Sequence, residues 1–321
     1  MSMNRARVVY SEFLYEAYPR GCTMKINKMR ARTILVLYVT MIMISLPVTA
    51  QRLTESSDHG PAIATHDGRM YMAWTGRDGK INVLRSSDGV DWGAKTRLTD
   101  SSDHPPALAS HGKYLYMVWT GKDGHLNVMR SKEGVDWKTK IRLDDSSDLE
   151  PAITSNGEYL FLAWRGAGNS KLNVMRSEDG IDWENKTRLN DTTDDRPVIA
   201  SHDGRVFLAW TGSGNGNLNI MRSKDGIDWG AKVRLDDTSS DGPALCSFND
   251  RLYLSWVGKG NRNLNVMRSD EGIDWGTKIR LDETTRRSPT LASGQDRLFL
   301  AWIGVKDRMI NIVRSEDGID F

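Results

Sequence analysis

The chain has 321 residues with 44 Lys/Arg against 42 Asp/Glu, a formal charge of +2. Setting aside the seven cationic and two acidic residues among the first fifty leaves 37 against 40, or −3. The apparent basicity therefore belongs to the N-terminal segment, and the rest carries no electrostatic signature of a nucleic-acid or anionic-membrane partner.

Residues 1–50 read as a leader. A basic stretch at 25–32 precedes a thirteen-residue, mainly apolar run at 34–46, and Val48-Thr49-Ala50 supplies small residues for cleavage. This is the pattern of a secretory signal peptide with the cut after Ala50. The run is shorter than the roughly 20 residues a spanning helix needs, so a membrane anchor is expected only if the leader stays uncleaved. Met24 is the expected start, because residues 1–23 lie upstream of an ordinary signal. Removal of Cys22 with the leader leaves Cys246 alone, which excludes an internal disulfide. Its repeat counterparts are Ala64, Ala109, Thr154, Ala200 and Ala292, so Cys246 reads as a small core filler.

From Arg52 the sequence restarts at Arg97, Arg142, Arg188, Arg234 and Arg280, with periods of 45, 45, 46, 46 and 46. Repeats of this length are supersecondary units in a stacked or circular array. Each unit holds a Pro nine residues after that Arg, then a Trp (Trp74, Trp119, Trp164, Trp210, Trp256, Trp302), then an Asn (Asn82, Asn127, Asn173, Asn219, Asn265, Asn311). Only the Trp-to-Asn distance varies, which marks a loop. The residues before each Trp, such as Met70-Tyr71-Met72-Ala73, are apolar at every position except Ser255 in the fifth unit. A strand of that kind is covered on both faces. Strands are predicted in the first unit at 61–64, 70–74, 81–85 and 92–98, separated by turns such as His66-Asp67-Gly68. The fold predicted for residues 51–321 is an all-β, six-bladed β-propeller of four-stranded blades. The last unit lacks a fourth strand and the first is preceded by a spare Gln51-Arg52-Leu53, so this N-terminal strand is expected to complete blade six.

The hairpin Ser86-Ser87-Asp88-Gly89-Val90-Asp91-Trp92 recurs at 131–137, 177–183, 223–229, 269–275 and 315–321. It resembles the Asp-box (BNR repeat), S-x-D-x-G-x-T-W, of sialidases and secreted sialidase-like propellers. Here it is one residue shorter between Asp and Trp, the acid is Glu133 or Glu271 in two copies, and Asp stands in place of Thr. The resemblance implies architecture, since Asp-boxes tie down turns in that family. It also implies a place to look for an arginine triad, a Tyr nucleophile with its Glu, and an Asp acid, each occurring once. The arginines before the boxes (Arg85, Arg130, Arg176, Arg222, Arg268, Arg314) occur in every blade, and Tyr71, Tyr116 and Tyr253 alternate with Phe at a core position. No nucleophile emerges, and a non-catalytic, lectin-like member of the family is expected.

The histidines (His59, His66, His104, His111, His125, His202) lack metal-ligand spacing and read as solvated turn residues. No metal or cofactor is expected. Candidate ligand groups lie on the face formed by the Trp-to-Asn loops and the blade connections. They are Asp58, His59, Asp103, His104, Asp195, Arg196 and Arg286 in the connections, and Asp78, Asp123, Asn169, Asn215, Asn217, Asn261 and Asn263 in the loops. Amides and carboxylates of this kind pair with vicinal hydroxyls, so the expected partners are glycans or glycoconjugates outside the cell; the same side chains also shape turns. The residue before each innermost strand (Gly60, Pro105, Glu150, Arg196, Gly242, Ser288) should line a channel mouth. Glu150, Arg165, Asp195 and Arg196 break the repeat there without counterparts. They form the alternative reading of a glycoside hydrolase with two acids across the channel. A protein-binding scaffold is the third reading.

Overall fold

The computed structural model describes residues 50–93 and 95–321. The signal-peptide and start-site expectations lie outside the described residues. Among the described residues no helix is long and apolar enough to cross a membrane.

Six four-stranded antiparallel sheets surround one axis, as the repeat predicts. In blade 1 the strands run outward as Ala62–His66, Arg69–Thr75, Lys80–Ser86 and Thr96–Ser101. Each innermost strand neighbours those of the flanking blades, and Ala62–His66 neighbours Thr290–Gly294, so the ring is closed. The sixth sheet takes three strands in sequence order, Thr290–Gly294, Arg297–Ile303 and Met309–Ser315. Its outermost strand is the N-terminal Gln51–Ser56, with Gln51 opposite Ile312 and Arg52 opposite Asn311.

The two-faced apolar strand explains the blade packing. Its alternate side chains point to opposite neighbours. Tyr71 and Ala73 cluster with Leu115, Met117 and Trp119 of blade 2, whereas Met70, Met72 and Trp74 cluster with Phe299 and Ala301 of blade 6. The Trp at this position is about 1% exposed in all six blades, so these rings form core and not a sugar platform.

The box hairpin is a turn built for its neighbour. Ser86 Oγ accepts from the Gly89 amide at 2.8 Å, and Asp88 Oδ1 accepts from the amides of Val90 and Asp91 at 2.8 and 2.9 Å. Those bonds, with the Ser86 hydroxyl, hold the Asp88 carboxyl below its usual range. Gly180 shows why glycine stands in the box: φ is +71° and a Cβ would lie 2.1 Å from the Tyr116 ring of the preceding blade. The repeated arginines latch the same junction, with Arg130, Arg176 and Arg222 donating through Nη1 to the carbonyls of Asp179, Asp225 and Glu271 in the next blade. A group used this way in successive blades is structural.

Two expectations need correction. The outer strand of blade 1 begins at Thr96 and not at Trp92, which makes only an isolated bridge to Ser86. The ladder shifts register between Lys80 and Asn82, displacing the paired segment towards the connection. The turn histidines His66, His111 and His202 are buried rather than solvated. Nδ1 of His66 lies 2.7 Å from Ser110 Oγ and Nε2 3.1 Å from the Lys132 carbonyl, both in blade 2, so the ring staples two blades.

Candidate functional site

The six innermost strands enclose an axial channel of about 720 Å³. Threonine and serine hydroxyls (Thr65, Ser110, Ser155, Ser201, Ser247, Ser293) line it on the side of the inner turns. Cys246 also lines the wall, where burial pushes its thiol up to about 11. A thiol with that value stays protonated at neutral pH and is inert as a nucleophile.

The opposite mouth is built by the blade connections. Strict repetition would give six equivalent side chains there, but the sequence supplies Gly60, Pro105, Glu150, Arg196, Gly242 and Ser288. Arg196 leaves blade 4 and lies across the opening. Its Nη2 donates to the Pro289 carbonyl of blade 6 at 2.7 Å, and its Nε stands 3.2 Å from Glu150 Oε1 of blade 3. The arginine passes over Gly242, where a Cβ would be 2.6 Å from Arg196 Cγ. Only glycine leaves room for that path.

Glu150 also faces His104, with Oε2 3.9 Å from Nδ1, and the His104 ring meets His59 edge-on at 5.9 Å. Burial pushes His59 below its usual value, opposed by the charge of Glu150 and assisted by Arg287. Asp195 is pushed above the ordinary carboxylate range, chiefly by burial, while a hydrogen bond from Thr211 Oγ1 at 2.7 Å works the other way. The negative charges of Asp241, Asp194 and Glu150 add to the rise. Two enclosed nitrogens, His104 Nδ1 and Arg196 Nε, both face Glu150 without a hydrogen bond of good geometry to it, so the contacts of this cluster are ionic.

The mouth thus unites His59, His104, Glu150, Asp195, Arg196 and Arg286 of the sequence-based candidates. Arg165 is not among them. It is held on the outer part of the face by Asp148 at 2.7 Å, the Thr193 carbonyl at 2.9 Å and Ser170 Oγ at 2.6 Å. The loop candidates are engaged in their own turns. Asp78, Asp123, Asn169, Asn215 and Asn261 each accept the amide two residues on, and Asp78 and Asp123 also pair with Arg97 and Arg142. Asn217, oriented by its environment, accepts from Arg234 at 2.7 and 3.0 Å, and Asn263 donates to the Leu281 carbonyl. Asp58 and Asp103 pair with Arg308 and Lys122.

Sequence reasoning passed over Asp241. It accepts from Ser288 Oγ and the Gly242 amide, each at 2.8 Å, beside the channel. The signal was available: Asp241 is the repeat counterpart of Asp195, one place before the mouth residue, so Asp195 does have a counterpart. Among the described residues no group of three or more His, Cys, Asp or Glu is placed to hold a metal ion.

No protein-family model matches the chain, and no curated protein matches its sequence. Solved structures do match in fold. The BP39L lectin of Burkholderia pseudomallei is 15% identical over 78% of this chain and 79% of its own, with a TM-score of 0.60. The Aleuria aurantia lectin, solved with alpha-methyl-L-fucoside, is 12% identical over 83% of this chain and 97% of its own, with a TM-score of 0.59. The NanB sialidase of Streptococcus pneumoniae is 10% identical over 85% of this chain and 71% of its own, with a TM-score of 0.62. Both lectins and sialidases therefore share this architecture, and at such identities the likeness is one of fold.

Proposed function

We propose that this propeller is a secreted carbohydrate-binding, lectin-like protein whose ligand enters the axial mouth on the connection face. One observation carries the reading. On a frame where the loop Asp and Asn residues are engaged in turns, the mouth gathers His59, His104, Glu150, Asp195 and Arg196 above an open channel, with Glu150 facing both His104 and Arg196. Carboxylate, guanidinium and imidazole groups at several heights suit the hydroxyls of a saccharide, which offer donors and acceptors in every direction. The fold neighbours that are lectins support the reading. Affinity per site is expected at about millimolar to micromolar, visible with multivalent display. A glycan array should give hits with the wild type that disappear with Glu150→Gln and Arg196→Ala. Silence across the array at high protein concentration would refute the reading and leave the protein-binding scaffold.

A second reading, glycoside hydrolysis, is favoured by the contrast between two carboxyls at the mouth. Asp195 is raised by burial, whereas Glu150 is ion-paired with Arg196. Two carboxyls in different surroundings, one buried and one beside a guanidinium, are what glycosidases use to divide the acid and base roles. Turnover of aryl glycosides by the wild type and none by Glu150→Gln would establish it.

The raised Asp195 has its own consequence for stability. The folded state keeps this proton through a pH window in which the unfolded chain has already lost it, so its contribution to stability falls as pH rises through that window. Asp195→Asn preserves an acceptor for Thr211 and removes the cost of ionisation. The variant is expected to melt at or above the wild-type temperature at pH 7 and to lose that advantage below about pH 4. Thermal scans at both pH values check it, and a variant less stable at pH 7 than at pH 4, relative to wild type, would contradict the assignment.

A further inference from the structure

The second position of each blade connection is Asp58, Asp103, Asp148, Asp194, Ser240 and Arg286. The four aspartates are all engaged, with Arg308 at 2.5 Å, Lys122 at 3.6 Å, Arg165 at 2.7 Å, and Ser213 Oγ at 2.5 Å respectively. Entering blade 6 the sign reverses, and the next residue is a second arginine, Arg287. Both are exposed, and among the described residues no carboxylate comes within salt-bridge reach of either. The loop that faces them carries one acid, Asp307, which is paired with Arg52. Beside the two arginines stand Ile303, the buried last residue of the strand Arg297–Ile303, and Val305, which is 38% exposed.

These residues line a cleft of about 610 Å³ together with His59 and the Asp58–Arg308 ion pair, so the one carboxylate in the cleft is already neutralised by an arginine of its own. His59, Arg286 and Arg287 also line the axial mouth, so cleft and mouth are continuous. Two arginines, consecutive in sequence and with no carboxylate in salt-bridge reach, thus line one cleft, and each guanidinium offers paired N–H donors to a planar or tetrahedral oxyanion. Val305 offers an exposed apolar side chain to the C–H face of a pyranose ring. In residues 51–321, which carry a formal charge of −3, such a cationic spot does not arise from general basicity.

We infer that the Arg286–Arg287 cleft is a subsite for an anionic substituent, a uronate carboxylate or a sulfate ester, on a saccharide lying across the axial mouth. This rests on the carbohydrate-binding reading of the mouth and adds the class of sugar. The guanidinium groups donate hydrogen bonds to the oxyanion, Val305 contacts one ring face, and the neighbouring sugar reaches the Glu150–Arg196 end of the site.

The repeat supplies a variant that should fold. Arg286→Asp with Arg287→His restores the Asp-His pair of the connections into blades 1 and 2. Binding is measured by affinity electrophoresis with dextran sulfate against dextran and with polygalacturonate against its methyl ester, so that each pair differs only in the anion. The wild type is expected to bind at least one anionic polymer about tenfold or more above its neutral partner at low salt, with the difference shrinking as screening rises. Whichever pair separates identifies sulfate or carboxylate. The double variant should lose that preference and keep its melting temperature. Equal binding of charged and neutral polymers, or an undiminished preference in the double variant, would overturn the subsite while leaving the mouth reading intact. Competition by free sodium sulfate or acetate as effective, mole for mole, as the saccharide would overturn the sugar ligand at this cleft. Array hits that survive Glu150→Gln and Arg196→Ala would count against the mouth instead.

Discussion

A chain beginning at Glu55, without residues 51–54, should melt at a temperature lower by about 3–12 °C and should aggregate on heating. Leu53 is 8% exposed and packs with Ile63, Met70, Phe299, Ile310 and Ile312 at the junction of blades 6 and 1. Losing that side chain removes about 1.5–3 kcal/mol of apolar burial. The strand pairs at Ile312 and Asn311 go with it, as does the Arg52–Asp307 ion pair at 2.9 Å, which is exposed and of little weight alone. For a domain of this size a kilocalorie shifts the midpoint by roughly 2–4 °C. Opening the ring also leaves Met309–Ser315 as an unpaired edge beside newly exposed isoleucines, a template for self-association. Thermal scanning with light scattering reads both effects. An unchanged midpoint would mean that the N-terminal strand has no part in holding the ring together.

Trp164→Ala should cost about 3–5 kcal/mol, the range for deleting a large buried ring. The residue is 1% exposed among Tyr116, Val118, Leu160 and Leu162, between blades 2 and 3, and Lys186 Nζ stands 5.5 Å above its ring centroid. The ring therefore belongs to the packing of two blades, and the folded fraction of the variant should bind any glycan as the wild type does. Denaturant titration gives the stability change. A loss below about 1 kcal/mol would place the ring outside the core and reopen its use as a ligand platform.

The repeat made the architecture legible because the features that define it are local. The 45–46-residue period, the two-faced strand before each Trp and the box hairpin are each written within one unit, and copying the unit copies the contacts it makes with its neighbours. The box shows how far this reaches. Where Asp stands, as at Asp88, Asp179 and Asp225, the carboxylate accepts the two following amides. At Glu133 only its own amide is bonded, to Ser131 Oγ at 3.4 Å, because the longer side chain overshoots the turn. The buried histidines were harder to see. His202 and its partners, Ser247 Oγ and the Asp270 carbonyl, are 45 and 68 residues apart, and nothing within one repeat shows that a turn on one blade is covered by the next.

The sequence by itself determined that this chain repeats six times, that each repeat is four strands, and that its prominent arginines and aromatics cannot be unique catalytic groups. Those conclusions follow from side-chain periodicity, which reports burial directly. Which polar side chains stand together was decided by the tertiary structure alone. Glu150, Arg196 and Pro289 meet because three connections arrive at one axis, with Arg196 reaching a carbonyl 93 residues away. Arg165, fifteen residues after Glu150 in the same blade, is drawn outward by Asp148. Loop-closing contacts of that range depend on the ring being closed, and no local pattern encodes which of several equivalent loops will supply the group that crosses it.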